Sequence, residues 1–267
     1  MSGRAFGEAG IFRARVFWMP KGGSSAEEYE DAFAVSEERA AGAPFRAAVA
    51  DGATEAAFAR RWARLLADGF AEHGPAAVRS HDEWPALQEK WRASVAAQAE
   101  ALPWYGAEKA AAGAFAALLG LELFPETGPP DLPSSGPTGG AWRAVSVGDA
   151  NLFHLRDGET VRAWPREDPE DFGSRPALLP SRADAETPTL RRTEGRYQPG
   201  DAFALATDAA AAWLLRCETS APGARTDPAR ALTWDDEAAF AEAVRAARDE
   251  GALDNDDTTV LCVTRDT

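Results

Sequence analysis

The sequence predicts an α+β protein in which antiparallel strands are layered against helices. Short apolar segments typical of strands come in pairs along the chain, and segments with helical periodicity come in a block between those pairs. The dipeptide Asp157-Gly158, which favours a two-residue hairpin turn, lies between two of the strand-like segments. This grouping favours an antiparallel layered fold over a doubly wound one.

The predicted strands are short runs of β-branched, aromatic and other apolar residues. They span residues 11–18, 31–36, 45–50, two segments within 142–156 that meet near Gly148, 160–164, 203–207 and 258–264. Loops are predicted at 37–44, 126–140 and 165–188, where polar residues or Pro and Gly accumulate. We expect a single domain over residues 1–267, with a Pro- and Gly-rich internal loop at 125–140.

The predicted helices have apolar residues at helical spacing or are rich in good helix formers. In the first, the apolar positions from Phe58 to Leu66 follow the i, i+4, i+7, i+8 pattern of one buried face, and Thr54 is placed to cap its start. Thr233 and Asp236 have the spacing of a capping box at the start of the last helix. The other helices are predicted at 83–101, 105–119 and 209–215, and the last at 235–249.

The charge balance excludes two classes of partner. The chain has 267 residues, with Lys+Arg 28 against Asp+Glu 43 and a formal net charge of −15. A nucleic-acid binder needs a basic surface, and an anionic membrane repels an acidic protein, so we expect neither partner. Most of the acidity is explained by solubility, unless some of the carboxylates converge to hold cations.

The few cysteines and histidines limit the chemistry further. Cys217 and Cys262 are far apart and in no metal-ligand or redox spacing, and the 3 histidines are scattered. Residues 1–10 have no signal-peptide core, and no apolar stretch is long enough to span a bilayer. We therefore expect a cytoplasmic, monomeric protein in which any metal ion is held by oxygen ligands.

Acidic residues recur at the ends of the predicted strands. Glu30-Asp31 opens a strand, Asp51-Gly52 and Asp208 each end one, and Asp256-Asp257 precedes the last. A single Asp at a strand end is usually a turn former, but several on neighbouring strands would bring carboxylates together. Divalent cations neutralise such a cluster, and ligation by oxygen alone suits Mg²⁺ or Mn²⁺.

Five segments in series resemble the metal-dependent protein phosphatases of type 2C in order and spacing, from about residue 11 to 265. They are Tyr-Glu-Asp-Ala at 29–32, Val-Ala-Asp-Gly-Ala at 49–53, Val-Gly-Asp-Ala at 147–150, Ala-Thr-Asp-Ala at 206–209 and Asn-Asp-Asp-Thr-Thr-Val at 255–260. The resemblance implies a four-layer α-β-β-α sandwich of two antiparallel sheets flanked by helices. It also implies two Mn²⁺ or Mg²⁺ ions at one end of the sandwich.

The resemblance further implies a role for each matching position. Asp51 looks like the carboxylate that bridges both metal ions, and the Gly52 carbonyl and Glu30 look like ligands of one of them. Asp208 and Asp256 look like ligands of the other; with Asp51, they would act catalytically through a metal-activated water.

Two further acidic residues match the family pattern. Asp31 is similar to the family's adjacent acidic residue, which acts through water, and we include it in the predicted metal set. Asp149 lies where many members hold a weaker third metal ion. The implied activity is hydrolysis of phosphomonoesters, with phosphoserine and phosphothreonine in a phosphoprotein or phosphopeptide as substrates.

The sequence departs from the family pattern around the substrate. Members often have an Arg a few residues before the Glu-Asp pair to hold the phosphate, but residues 22–28 contain none. Lys21, Arg191 and Arg192 are the candidates to replace it. The departure leaves two alternatives open: a catalytically weak or inactive regulatory or binding module of the same fold, and a different metallo-hydrolase built on convergent carboxylates.

Overall fold

The structure, a computed structural model, describes residues 5–9, 12–37, 42–53, 58–79, 81–101, 112–125, 139–172, 175–219, 228–234 and 236–265. Within these ranges the strands are β1 (Ala5–Ala9), β2 (Phe12–Met19), β3 (Ala32–Val35), β4 (Phe45–Gly52), β5 (Phe115–Pro125), β6 (Gly140–Val147), β7 (Asn151–Arg156), β8 (Glu159–Trp164), β9 (Leu179–Pro180), β10 (Arg191–Tyr197), β11 (Ala202–Ala206) and β12 (Thr258–Arg265). The α-helices of the same ranges are α1 (Ala59–His73), α2 (Glu83–Ala101), α3 (Asp208–Thr219) and α4 (Glu237–Asp249).

The strands form two sheets in which every described pair is antiparallel. The first sheet has the order β1-β2-β12-β11-β7-β8. The second has the order β10-β6-β5-β4-β3, and the short strand β9 pairs with the start of β5. Strands from the two ends of the chain meet in the first sheet, where β12 lies between β2 and β11.

Three groups of buried side chains join these sheets and helices into four layers. The inner faces of the sheets meet in a core that includes Leu121, Phe203 and Leu261. A second cluster packs α1 and α2 on the outer face of the second sheet, with Trp62 at its centre. A third packs α3 and α4 on the outer face of the first sheet around Trp213. The predicted α+β sandwich is confirmed.

The helix predicted at 105–119 is wrong over its second half. Residues from Phe115 onward form β5, and residues 102–111 lie outside the described part of the chain. Strand β5 lies between β4 and β6, and both of its faces are buried: Leu118 contacts the helical side and Leu119 the inner core. A strand buried on both faces has no alternation of apolar and polar residues, so its Ala- and Leu-rich sequence looks helical.

The structure differs from the sequence-based predictions in smaller ways at the start of a helix and in the loops. Asp236 caps α4, accepting a hydrogen bond from the Ala239 N–H at 2.9 Å, so the helix begins at Glu237. The segment predicted as irregular at 165–188 contains β9, and β1 and β10 were not predicted. The cap predicted at Thr54 and most of the Pro- and Gly-rich loop, residues 126–138, lie outside the described residues.

The hairpin at Asp157-Gly158 is confirmed. Both residues are exposed and have positive φ, 53° and 79°, as a tight turn between β7 and β8 requires. Asp is among the few residues besides Gly that adopt this conformation readily. Among the described helices, none is long and apolar enough to cross a membrane.

Candidate metal centre

Three aspartates from separate parts of the sequence converge at one end of the sandwich. Asp51 is the penultimate residue of β4, Asp149 lies in the turn between β6 and β7, and Asp208 is the first residue of α3. One carboxylate oxygen from each lies within 4.8 Å of the other two. The structure therefore brings together three residues that are about 60 to 160 positions apart in the chain.

The antiparallel topology places these side chains. Asp51 lies on the same face of β4 as Ala47 and Val49, which both pack in the core between the sheets, so its carboxylate faces the other sheet. Gly148 allows the turn to bring Asp149 close to Asp51. Its φ is +102°, and a Cβ at this position would lie 2.4 Å from the Cβ of Ala117, the residue paired with Asp51.

The carboxylates of the cluster repel one another and are partly removed from water, and both effects disfavour their charged forms. Burial raises the pKa of Asp51 well above its ordinary value, and the nearby charges of Asp31, Asp208, Asp149 and Asp256 raise it further. Burial also raises the pKa of Asp208 to about 7, with contributions from Asp149 and Asp256. Asp256 is thus within electrostatic reach of both residues. A cation bound here would replace the protons that these carboxyl groups otherwise retain.

Asp31 lies beside the cluster and is held by hydroxyl groups. Its side chain is buried, and its Oδ2 accepts hydrogen bonds from Thr207 Oγ1 at 2.9 Å and Thr259 Oγ1 at 2.6 Å. Burial raises the pKa of Asp31, with the charges of Asp257 and Asp208 acting in the same direction and the two hydroxyls against it. The other oxygen of Asp31 has no hydrogen-bond partner among the described residues.

Asp257 was not predicted as a site residue, although it positions two that were. Its carboxylate accepts a hydrogen bond from the Lys21 N–H at 2.8 Å and from the Glu30 N–H at 2.6 Å. It therefore fixes both ends of the loop between β2 and β3. Gly52 packs directly against this loop, since a Cβ at Gly52 would lie 2.9 Å from the Glu30 carbonyl oxygen.

Solved structures of phosphatases superpose on nearly the whole chain. The serine/threonine phosphatase PstP/Ppp of Mycobacterium tuberculosis has 17% sequence identity and a TM-score of 0.54, over 96% of this chain and 100% of that one. Stp1 of Staphylococcus aureus has 11% identity and a TM-score of 0.55, over 99% of each chain. RsbX in complex with magnesium has 14% identity and a TM-score of 0.50, over 99% and 100%.

The chain has the type 2C phosphatase fold. No protein-family model and no curated protein sequence matches it. A structure of the PstP catalytic domain contains 2 manganese ions; it matches this chain with 18% identity and a TM-score of 0.54, over 96% of this chain and 99% of that one. At these identities the likeness establishes the fold, and the roles of individual residues must be argued from their geometry.

Within this type 2C fold, the three candidate phosphate ligands lie in different places. The Lys21 ammonium is 3.8 Å from the Glu30 carboxylate, at the edge of the site. Arg191 pairs with Ser146 and lies on the face of its sheet that looks toward the other sheet. Arg192 pairs with Val145 and lies on the opposite face, with α1 and α2, so the structure separates it from the carboxylates.

Sequence reasoning missed a cation that lies beside the cluster. Arg166 follows β8, and its charge acts on Asp149, Arg191 and Asp208. Burial lowers the pKa of its guanidinium, and Asp149 acts against that effect. No sequence signal distinguishes it, because it is one Arg in a polar loop segment. Only the fold brings that segment beside Asp149.

Proposed function

We propose that this chain is a metal-dependent phosphatase that hydrolyses phosphomonoesters, with phosphoserine and phosphothreonine in proteins as substrates. The convergence of Asp51, Asp149 and Asp208 within 4.8 Å carries the proposal. The phosphatase neighbours, one solved with magnesium and one with 2 manganese ions, support it. Substrate class and metal identity are part of the proposal.

The donor set fits hard divalent cations. It consists of oxygen atoms, it is partly buried, and the raised pKa values of Asp51 and Asp208 show that its charge is not compensated by the protein alone. These are the ligands that Mg²⁺ and Mn²⁺ prefer. Two such ions, when bound, supply an activated water nucleophile and stabilise the charge of the phosphoryl group.

We propose the following ligands from their position in the site. Asp51 would bridge the two ions, Glu30 and the Gly52 carbonyl would bind one, and Asp208 and Asp256 the other. Asp149 would bind a third ion. Asp31, with one oxygen fixed by two threonine hydroxyls, presents its second oxygen to bound water.

The chain's own residues then perform two tasks. Asp257 holds the Glu30 backbone against Gly52, so that these two donors keep their spacing. Thr207 and Thr259 each donate a hydrogen bond from the hydroxyl group to Asp31 Oδ2, and these bonds orient that carboxylate. The overall reaction consumes one water molecule, breaks the phosphorus–oxygen ester bond and releases an alcohol and inorganic phosphate.

Cys262 is not available as a nucleophile for this chemistry. Cys262 is buried in β12, and its thiol donates a hydrogen bond to the Ala231 carbonyl at 3.3 Å. Burial raises the pKa of this thiol to about 12, so it stays protonated at neutral pH. Hydrolysis by direct attack of water therefore suits this chain better than a phosphocysteine formed on Cys262.

The test is hydrolysis of p-nitrophenyl phosphate and of a phosphopeptide panel with added Mn²⁺. We expect turnover that EDTA abolishes, and a loss of at least about 100-fold in Asp51→Asn and Asp208→Asn. Asp68→Asn, a surface carboxylate on α1 paired with Arg64, is the matched control. Unchanged turnover in both site variants would refute the assignment, and hydrolysis of phosphodiesters or nucleotides but not phosphopeptides would indicate a different metallo-hydrolase.

A regulatory or binding module of the same fold is the second candidate. The absence of Arg from residues 22–28, where type 2C members often hold the substrate phosphate, is the observation that favours it. Calorimetry distinguishes the two candidates. Failure to bind Mn²⁺, together with no turnover on the phosphopeptide panel, would favour the module.

A further inference from the structure

Arg166 is held rigidly at the edge of the carboxylate cluster. Its Nη1 donates a hydrogen bond to the Gly148 carbonyl at 3.0 Å, and its Nε donates to the Asp171 carbonyl at 2.9 Å. The guanidinium also lies 5.1 Å from the centre of the Phe172 ring. These contacts fix the plane of the side chain without using its charge on a carboxylate.

The backbone of Arg166 is fixed as well. The side-chain amide of Asn151 accepts a hydrogen bond from the Arg166 N–H at 2.9 Å and donates one to its carbonyl at 3.0 Å. Asn151 is fully buried at the start of β7, two residues after Asp149. The same short segment therefore positions a carboxylate of the proposed metal centre and the arginine next to it.

The guanidinium retains unused donors. Its charge acts on Asp149 and Asp208, yet within the described residues no carboxylate forms an ion pair with it. Nη2 has no hydrogen-bond partner in the same set of residues, and the side chain is only half-buried. An arginine with a fixed plane and free donors is suited to binding a phosphate through two parallel hydrogen bonds.

We propose that Arg166 holds the phosphate group of the substrate, taking the place of the arginine that residues 22–28 lack. This inference rests on the proposed function and names a residue for its substrate. A phosphomonoester approaching the acidic side chains of this site needs a cation of the protein to orient it, even when metal ions are bound. Arg166 supplies that cation from the side of Asp149.

The other cations are less suited to this role. Lys21 already faces the Glu30 carboxylate, and its flexible chain offers no planar fork. Arg191 is exposed on the edge strand β10 and adds positive charge near Arg166. Arg192 lies on the other face of that sheet. Arg166 alone among the four has its guanidinium fixed by two carbonyl groups of the described residues.

The test compares Arg166→Ala and Arg166→Lys with the wild type at saturating Mn²⁺. We expect the KM for p-nitrophenyl phosphate to rise about 10- to 100-fold in Arg166→Ala, the effect of losing charge-assisted hydrogen bonds. Arg166→Lys restores part of that loss. Calorimetry with inorganic phosphate should show weakening by a similar factor, whereas the Mn²⁺ binding isotherm stays unchanged. Arg192→Ala is the matched control and should leave every value unchanged.

Two results with Arg166→Ala would overturn the inference. One is an unchanged KM and phosphate affinity in Arg166→Ala. The other is weaker Mn²⁺ binding with an unchanged KM at saturating Mn²⁺, which would make Arg166 only a support for the Gly148–Asp149 turn. A wild type that binds phosphate through Arg166 but hydrolyses no phosphomonoester would contradict the proposed function alone. A wild type that binds no inorganic phosphate would overturn the role of Arg166.

Discussion

The hydroxyl of Thr259 donates a hydrogen bond to Asp31 Oδ2 at 2.6 Å, joining the last strand to the start of β3. Tyr29 lies on the other side of the same hydroxyl and is hydrogen-bonded to it. All three side chains are buried. A phenol, a hydroxyl and a carboxyl group thus form one chain of hydrogen bonds beside the carboxylate cluster.

Thr259→Val removes the central hydroxyl and keeps the shape of the side chain. It leaves the Tyr29 hydroxyl without its acceptor and Asp31 with one donor fewer, so we expect the free energy of unfolding to fall by about 1–3 kcal/mol. Urea denaturation in metal-free buffer measures this. Thr259→Ser, which keeps the hydroxyl, should lose less of the free energy of unfolding. Equal stability of the Thr259→Val variant and the wild type would contradict the prediction.

Acidic pH should stabilise the metal-free protein. The pKa of Asp208 is about 7 in the folded chain, against 3.8 as its ordinary value. The folded state therefore retains a proton that the unfolded state loses, and this stabilisation is lost as the pH rises through about 7. We expect the Tm in EDTA to fall between pH 5.5 and pH 8.

Asp208→Asn isolates the contribution of that carboxyl group. The amide cannot ionise, so the variant should show a shallower fall of Tm with pH and exceed the wild type in Tm at pH 8 in EDTA. Asp68→Asn should follow the wild-type curve. A wild-type Tm that rises from pH 5.5 to pH 8 would contradict the assignment of the raised pKa.

Added Mn²⁺ should reverse the effect of pH. Because cations and protons compete for the same carboxylates, Mn²⁺ should raise the Tm more at pH 8 than at pH 5.5. Asp51→Asn should lose most of this increase, since the charges of four other aspartates act on the Asp51 carboxylate. The same thermal shift in Asp51→Asn and in the wild type would argue against a bridging role.

Substitutions in a second cluster of charged residues should change the stability of the protein but not its Mn²⁺ requirement. Asp201 is buried. It accepts hydrogen bonds from Arg156 Nε and Nη2, each at 2.8 Å, and its Oδ2 lies 2.7 Å from His154 Nε2. Burial opposes ionisation of Asp201, yet these bonds hold its pKa below the ordinary value. It precedes β11, about 20 Å from the end where Asp208 follows that strand.

Asp201→Ala leaves His154 and Arg156 without their acceptor, so we expect a loss of about 3–5 kcal/mol in the free energy of unfolding. The Mn²⁺ requirement at low temperature should not change. Asp68→Ala, an exposed carboxylate on α1, serves as the surface control. An altered Mn²⁺ dependence in Asp201→Ala would show that the two ends of the sandwich are coupled.

Much of this fold can be predicted from the sequence because several of its strands are apolar runs with clear ends. Apolar runs that stop at Asp51 or begin after Asp256 coincide with β4 and β12. Within each sheet the acidic ends meet because antiparallel neighbours, β3 with β4 and β11 with β12, place the start of one strand beside the end of the other. The acidic motifs were therefore informative before any contact was known.

What the sequence does not predict depends on tertiary contacts. Strand β5 has a helix-like composition, and only its position between β4 and β6 makes it a strand. Asp257 accepts a hydrogen bond from the Glu30 N–H, although the two residues are 227 positions apart in the chain. Arg166 becomes a site residue only because the Asn151 amide and the Gly148 carbonyl bind it.

The turn at Asp157-Gly158 offers a point of attachment for experiments on this protein. It lies at the far end of β7, about 20 Å from Asp149, and it is exposed. A short peptide tag inserted there would tether the molecule to a surface with its carboxylate cluster facing the solution. Immobilised in this orientation, the protein could be exposed in turn to metal ions, chelator and phosphopeptides.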